Sequence, residues 1–380
     1  MTMEQSRDLL QDMDPPSLAA AVRAALDDPA AQPSGWRADP IYGGAATNTA
    51  LYRVSGGAET RGEIRQWSLV LKVFRMRGRA DDPLRWNYWK REPLAYQSGL
   101  LASLPGGLTA PRCFGALERS GGEVWLWLED VADLGRRWSL GDFERAARHL
   151  GRFNGAYLAG QAPPSHAWLS RGRLRAWVAF CADAIAALPS NLRHPLARDR
   201  FSDAAIGRLL RLWAEREALL DALDRLPQVF GHLDAFPRNL AVRRSAGGAR
   251  LVAIDWASVG FGAVGEELAP LVAASLIFFE ADVSIARQLD AAAFAGYVDG
   301  LREAGARVDE ASARFGYTAA ASLRYGLGIA LDVGIAGDER HHAWAEQVLG
   351  RSVEEMLARD AAVADFLSAH VDEARGFLPG

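Results

Sequence analysis

The stretch Gly231-His232-Leu233-Asp234-Ala235-Phe236-Pro237-Arg238-Asn239, followed downstream by Ile254-Asp255, decides the fold. Two short apolar runs, 239–242 and 250–254, flank the turn signal Ser245-Ala246-Gly247-Gly248 and predict a hairpin. Such a hairpin brings Asn239 and Asp255 to one rim of a small sheet. An amide oxygen beside a carboxylate suits Mg²⁺, a hard cation that takes few protein ligands and completes its shell with phosphate and water. Asp234, on the loop before Asn239, faces the same space and can accept or orient the proton of an attacking hydroxyl. Any one of the three could simply cap a turn; their joint spacing matches phosphoryl-transfer chemistry. His232 is expected to hold the loop by hydrogen bonds rather than to act as a base.

Upstream, Ser68-Leu69-Val70-Leu71-Lys72-Val73-Phe74 is an apolar strand with a cation inside it, awkward unless an anion meets it. Lys72 and Lys90 are the only lysines among 43 basic residues. A lysine at this place in an arginine-dominated chain points to a compact ammonium rather than a planar fork. Glu92, at the start of an apolar run of helical spacing over 85–104, is a partner, and Pro93 predicts a break or a new first turn there. Gly43-Gly44-Ala45-Ala46-Thr47-Asn48 lies between two predicted strands, where small residues let backbone N–H groups approach a phosphate; alone, it is equally an ordinary turn.

The organisation changes near residue 130. Before it, a short helix over 16–26 is followed by strands over 36–42, 49–54 and 64–74 and a hairpin over 111–117 and 123–129, with a turn expected at Ser55-Gly56-Gly57. After it the chain is mainly helical (140–159, 171–188, 201–223 and from 266 onward), apart from the 239–254 hairpin. The expected class is α+β: an N-terminal antiparallel-sheet lobe over 1–129 and a larger, mainly helical lobe over 130–380.

These residues resemble the aminoglycoside phosphotransferase and choline kinase-like family, which has the bilobal protein-kinase-like fold. The resemblance covers most of the chain: Lys72, Glu92, Trp125 to Val131, His232-x-Asp234-x-x-Pro237-x-Asn239, Ile254-Asp255-Trp256 and Glu267-Leu268-Ala269. It implies an ATP-dependent kinase acting on a hydroxyl of an aminoglycoside-, amino-alcohol- or sugar-like acceptor. It further implies Asp234 as the catalytic carboxylate, Asn239 and Asp255 as Mg²⁺ ligands, and Lys72, oriented by Glu92, on the ATP phosphates. Gly43, Gly44, Thr47 and Asn48 would cover the phosphates, and the backbone of Glu129, Asp130 and Val131 would hold adenine. Three positions depart from the family pattern: Pro93 directly after Glu92, Leu233 where glycine is common, and Glu266-Glu267 where an aspartate is common. The short interval between Asp255 and Glu267 leaves no room for a peptide-holding segment, and Leu233 replaces the arginine of H-R-D; both favour a small-molecule acceptor.

A net charge of −4 without a basic block predicts no nucleic-acid partner. Two cysteines without metal spacing fit a reducing compartment, and neither a membrane span nor a signal peptide is predicted, so the expected location is cytoplasmic. The acids Glu354, Glu355, Asp360, Asp365, Asp372 and Glu373 outnumber Arg351, Arg359 and Arg375, an excess that fits either a cationic acceptor or a solvated helix face. Two other readings stay open: a nucleotide-binding protein without turnover, and a dinucleotide-dependent oxidoreductase built on Gly260-Phe261-Gly262-Ala263-Val264-Gly265. Nothing in the sequence speaks to oligomeric state.

Overall fold

The computed structural model describes residues 15–41, 49–76, 81–132, 136–245, 248–338, 342–343, 345–346 and 349–378. The chain divides into two compact units, one of residues 1–81, 89–102 and 110–132, the other of 82–88, 103–109 and 133–380. The first is built on an antiparallel sheet and the second is larger and mainly helical, the α+β organisation expected from the sequence.

The first unit contains β1 (Gln32–Pro40), β2 (Thr49–Thr60), β3 (Glu63–Arg75), β5 (Cys113–Arg119) and β6 (Glu123–Glu129); β4 (Leu108–Thr109) belongs to the second. The strand order is β1-β2-β3-β6-β5, with every pair antiparallel. Side chains alternate across a strand. Trp67, Leu69, Leu71 and Val73 therefore enter one core with Leu18, Val22 and Leu26 of the helix Pro15–Leu26. Each such burial stabilises by roughly 1.5–3 kcal/mol. The opposite face of β3 carries Val70 and Phe74, which pack with Leu126, Trp89 and Tyr96. Lys72 pairs with Leu126 across the ladder and shares that second face.

Two local expectations are corrected. Ser55-Gly56-Gly57 is not a turn, because β2 runs on to Thr60 and the chain reverses at Arg61-Gly62. The glycines serve a close approach instead: a Cβ on Gly56 would lie 2.3 Å from the Gly35 carbonyl oxygen, beside the irregularity in β1 between Ser34 and Trp36. The helix expected over 85–104 is confined to Arg91–Gln97, with a 3₁₀ turn at Leu100–Ala102. Pro93 falls in its first turn, where the missing N–H costs nothing, so of the two outcomes expected there, a break or a new first turn, the second is found.

In the second unit β4 runs parallel to β9 (Gly248–Ala253), which pairs antiparallel with β8 (Leu240–Ser245), and β7 (Gln228–Gly231) pairs antiparallel with β10 (Gly260–Ala263). The helices Leu140–Leu158 and Ala286–Glu303 cross so closely that a Cβ on Gly151 would lie 2.1 Å from the Tyr297 carbonyl oxygen. Their contact leads to β7 through a buried network. Asn154 Nδ2 donates to the Phe230 carbonyl (2.9 Å), the Tyr297 hydroxyl donates to Asn154 Oδ1 (2.8 Å), and the Gly265 N–H donates to that hydroxyl (3.1 Å). Satisfied buried networks of this kind define one arrangement of the backbone they hold, here the strand that delivers the next loop. Among the described residues no helix is long and apolar enough to cross a membrane.

Candidate active site

The loop after β7 is bonded at almost every residue. The Leu233 N–H donates to Glu267 Oε1 (2.9 Å), and Arg324 Nη1 donates to the Leu233 carbonyl (2.6 Å). Leu233 has φ of 61°, a left-handed conformation costly for a side chain with Cβ. The departure from glycine noted in the sequence is therefore a strained residue clamped on both sides, by Glu267 and Arg324. The Asp234 N–H donates to His232 Nδ1 (3.3 Å), which leaves His232 Nε2 as the donor to the Ile254 carbonyl (2.9 Å). The His232 ring also packs edge-on against Trp256. His232 thus ties the loop to the end of β9.

A 3₁₀ turn, Pro237–Asn239, then turns Asn239 back onto the loop. Asn239 Nδ2 donates to the Asp234 carbonyl (2.9 Å), with Asp234 Oδ2 at 3.4 Å. The Ile254 N–H donates to the Asn239 carbonyl (2.9 Å), so Asn239 and Asp255 stand at the same end of the β8–β9 hairpin. Asp255 is itself left-handed (φ 62°, ψ 67°). Strained residues persist where surroundings over-determine them and cluster at functional sites.

Asp234 is gripped most strongly by an arginine. Arg324 Nη2 donates to Asp234 Oδ1 at 2.5 Å, from the π-helical turn Ser322–Gly326. Such turns recur at functional sites because the extra residue re-aims the side chains around it. Burial pushes the Asp234 carboxyl upward, but the charges of Arg324 and then Arg173 outweigh it and hold the group below its ordinary value. Its side chain keeps 25% of its surface exposed. The result is an ionised, oriented carboxylate that a small molecule can reach. Glu267 behaves oppositely: burial pushes it up to about 7.

In the first unit Lys72 Nζ donates to both oxygens of Glu92, at 2.8 and 3.0 Å, with the lysine side chain 10% exposed and the glutamate 1%. Pro93 does not prevent the pair, because Glu92 and Pro93 both lie in the first turn of Arg91–Gln97. At the end of β6 the Asp130 carboxylate accepts from Arg53 (2.8 and 3.2 Å) and from the Ser68 hydroxyl (2.6 Å), and Glu129 Oε2 accepts from the Arg112 N–H (3.0 Å). These acidic side chains are used inside the unit, and Val131 is buried. Gly43, Gly44, Thr47 and Asn48 lie outside the described residues.

Gly260–Ala263 is a strand antiparallel to β7, and a Cβ on Gly260 would lie 2.1 Å from the Ser170 carbonyl oxygen. These glycines pack against protein and do not form the strand-to-helix turn that a dinucleotide fingerprint requires. Among the described residues no group of three or more His, Cys, Asp or Glu side chains is placed to hold a metal alone. Asn239 and Asp255 still fit a hard cation: they stand at the same end of the hairpin, and the Asn239 amide nitrogen is used on Asp234, which keeps Oδ1, the oxygen a hard cation takes, for another role.

Arg324, Arg173 and the clamping role of Glu267 were not foreseen. No local signal separates these two arginines from the other basic residues of the chain.

A family model described as the phosphotransferase enzyme family matches residues 54–306. The fold is shared with a microcompartment-associated aminopropanol kinase (TM-score 0.50, 14% identity, covering 93% of this chain and 98% of that one). It is shared as well with a spectinomycin phosphotransferase solved with ADP and spectinomycin (TM-score 0.50, 12% identity, 88% and 93% covered). No curated protein matches the sequence. With the family model spanning well over half of its length, the chain belongs to the phosphotransferase enzyme family.

Proposed function

We propose that the protein is an ATP-dependent small-molecule kinase that transfers the γ-phosphoryl group to a hydroxyl, with residues 1–129 serving the nucleotide and 130–380 the metal and acceptor. The observation that carries this reading is the Asp234 carboxylate, ionised, oriented by Arg324 and Asn239, and reachable from solvent.

In the reaction, the acceptor hydroxyl oxygen forms a bond to the γ-phosphorus while the bond from that phosphorus to the ADP oxygen breaks. The hydroxyl proton passes to Asp234 and on to water, giving ADP and a phosphomonoester. A carboxylate held below its ordinary value is a weak base. Asp234 is therefore assigned mainly to orienting the hydroxyl and receiving its proton late, as the loose transition state of phosphoryl transfer allows. Asn239 and Asp255 would hold Mg²⁺, which when bound neutralises triphosphate charge. Lys72, kept in place by Glu92, would contact the α- and β-phosphates, and the backbone of Glu129 to Val131 would bind adenine. Gly43, Gly44, Thr47 and Asn48 would cover the phosphates.

The test is ADP release in the presence of Mg-ATP and a panel of hydroxylated compounds, with Asp234→Asn as control. Acceptor-dependent turnover that disappears in the variant is expected. Undiminished turnover in Asp234→Asn would remove this mechanism, and nucleotide binding without turnover under any acceptor would favour a non-catalytic binder.

A further inference from the structure

Beside Asp234 stands a second arginine that the proposed reaction does not use. Arg173 begins the helix Arg173–Phe180, is 7% exposed, and has its Nε buried without a hydrogen-bond partner. A guanidinium taken from water and left with an unmade hydrogen bond is costly unless something completes it. Burial, and then repulsion from Arg324, lower Arg173 to about 10, so it remains a cation at neutral pH. The carboxylates that act on it include Asp234, already engaged by Arg324, and Glu266, which accepts from the Ala263 N–H (3.1 Å). Both carboxylates are therefore engaged by other donors, and the Arg173 Nε is left without a partner. The Arg173 guanidinium lies 5.9 Å from the ring of Trp86, which packs with Trp177 and the half-exposed Phe180.

The acids near the C-terminus do not redress this. Glu373 pairs with Arg314, Glu355 caps its own helix, and Asp365 and Asp372 are exposed.

We propose that the acceptor carries an oxyanion group, a carboxylate or a phosphate ester, near its reactive hydroxyl, and that Arg173 binds it in a geometry that leaves the hydroxyl to Asp234. The inference rests on the phosphotransferase reading of Asp234. It departs from a cationic acceptor, which would meet two guanidiniums at this place. The planar fork of arginine suits either oxyanion, since both offer two coplanar oxygens.

The test is titration of the full-length protein, with and without Mg-ADP, with four probes of similar size: 3-hydroxypropionate, glycerol 3-phosphate, glycerol and ethanolamine. Saturable binding of at least one anionic probe, above glycerol and ethanolamine, is expected, and the preferred one identifies the oxyanion. Arg173→Gln should weaken that binding by roughly 30-fold or more, the loss typical of one partner of a buried charged hydrogen bond. Arg173→Lys should weaken it less, and Mg-ATP affinity should be unchanged in both variants. Thermal unfolding verifies that the variants fold. No anionic preference in the wild type, or unaltered binding in a folded Arg173→Gln, overturns the proposal. A loss of ATP affinity instead of probe affinity overturns it too, by assigning Arg173 to the nucleotide. Failure of wild-type protein to bind Mg-ATP would strike the phosphotransferase reading itself, while the titration without nucleotide still decides Arg173.

Discussion

Uncoupling Lys72 from Glu92 separates what the pair does for stability from what it does for nucleotide. At 2.8 Å and an effective dielectric of about 20, their attraction is about 6 kcal/mol. Removing both groups from water costs several kcal/mol per ion, so the intact pair contributes little net stability. Breaking it is different, because Glu92→Leu takes a carboxylate from a nearly buried ammonium and Lys72→Met takes an ammonium from a carboxylate 1% exposed. Each single substitution should cost about 3–5 kcal/mol. The double variant should lie within about 1 kcal/mol of wild type, since Met and Leu join the Val70, Phe74 and Leu126 face. The expected coupling is thus about 5 kcal/mol or more, most of the two single losses recovered together. Urea unfolding supplies the energies, and hydrogen exchange in β3 and β6 localises them to the first unit. The double variant should nevertheless bind Mg-ATP poorly. If it is as unstable as the worse single variant, the electrostatic account is wrong. If it keeps wild-type nucleotide affinity, Lys72 has no part on the phosphates.

Asp234→Asn should reduce kcat on the order of 10²–10⁴-fold with Mg-ATP affinity nearly unchanged, whereas Asp255→Ala should lose Mg²⁺-dependent nucleotide binding; single-turnover kinetics and nucleotide titration separate them. Arg324→Gln removes the charge that holds Asp234 low, so the Asp234 pKa rises and the acid limb of kcat/KM moves to higher pH; an unmoved limb would deny Arg324 that role. Asp360 is fully buried with neither oxygen hydrogen-bonded, and burial, reinforced by Asp332, raises it well above its ordinary value. The folded state therefore binds more protons there than the unfolded state, and its stability falls as pH rises above about 4, the unfolded carboxyl value. Asp360→Leu should raise Tm, more at pH 8 than at pH 5, as checked by calorimetry at both pH values.

The turn expected at Ser55-Gly56-Gly57 is absent, and the run over 85–104 is helical only around the new first turn at Pro93, for one reason. Gly-Gly and Pro mark unusual backbone, but only neighbours decide what it is for: β1 approaching Gly56, and a helix that starts one residue before Glu92. Leu233 was visible as a departure from glycine. Its left-handed backbone, and the clamp of Glu267 and Arg324 that sustains it, were not.

The sequence alone determined the α+β order of elements, the hairpin joining Asn239 to Asp255, and the lysine set into an apolar strand. Each is written in local spacing and in period-two alternation, which a chain carries before it folds. Tertiary structure alone decided which arginines matter. Arg173 and Arg324 are far from Asp234 along the chain, and one guanidinium differs from another only in what folding places beside it.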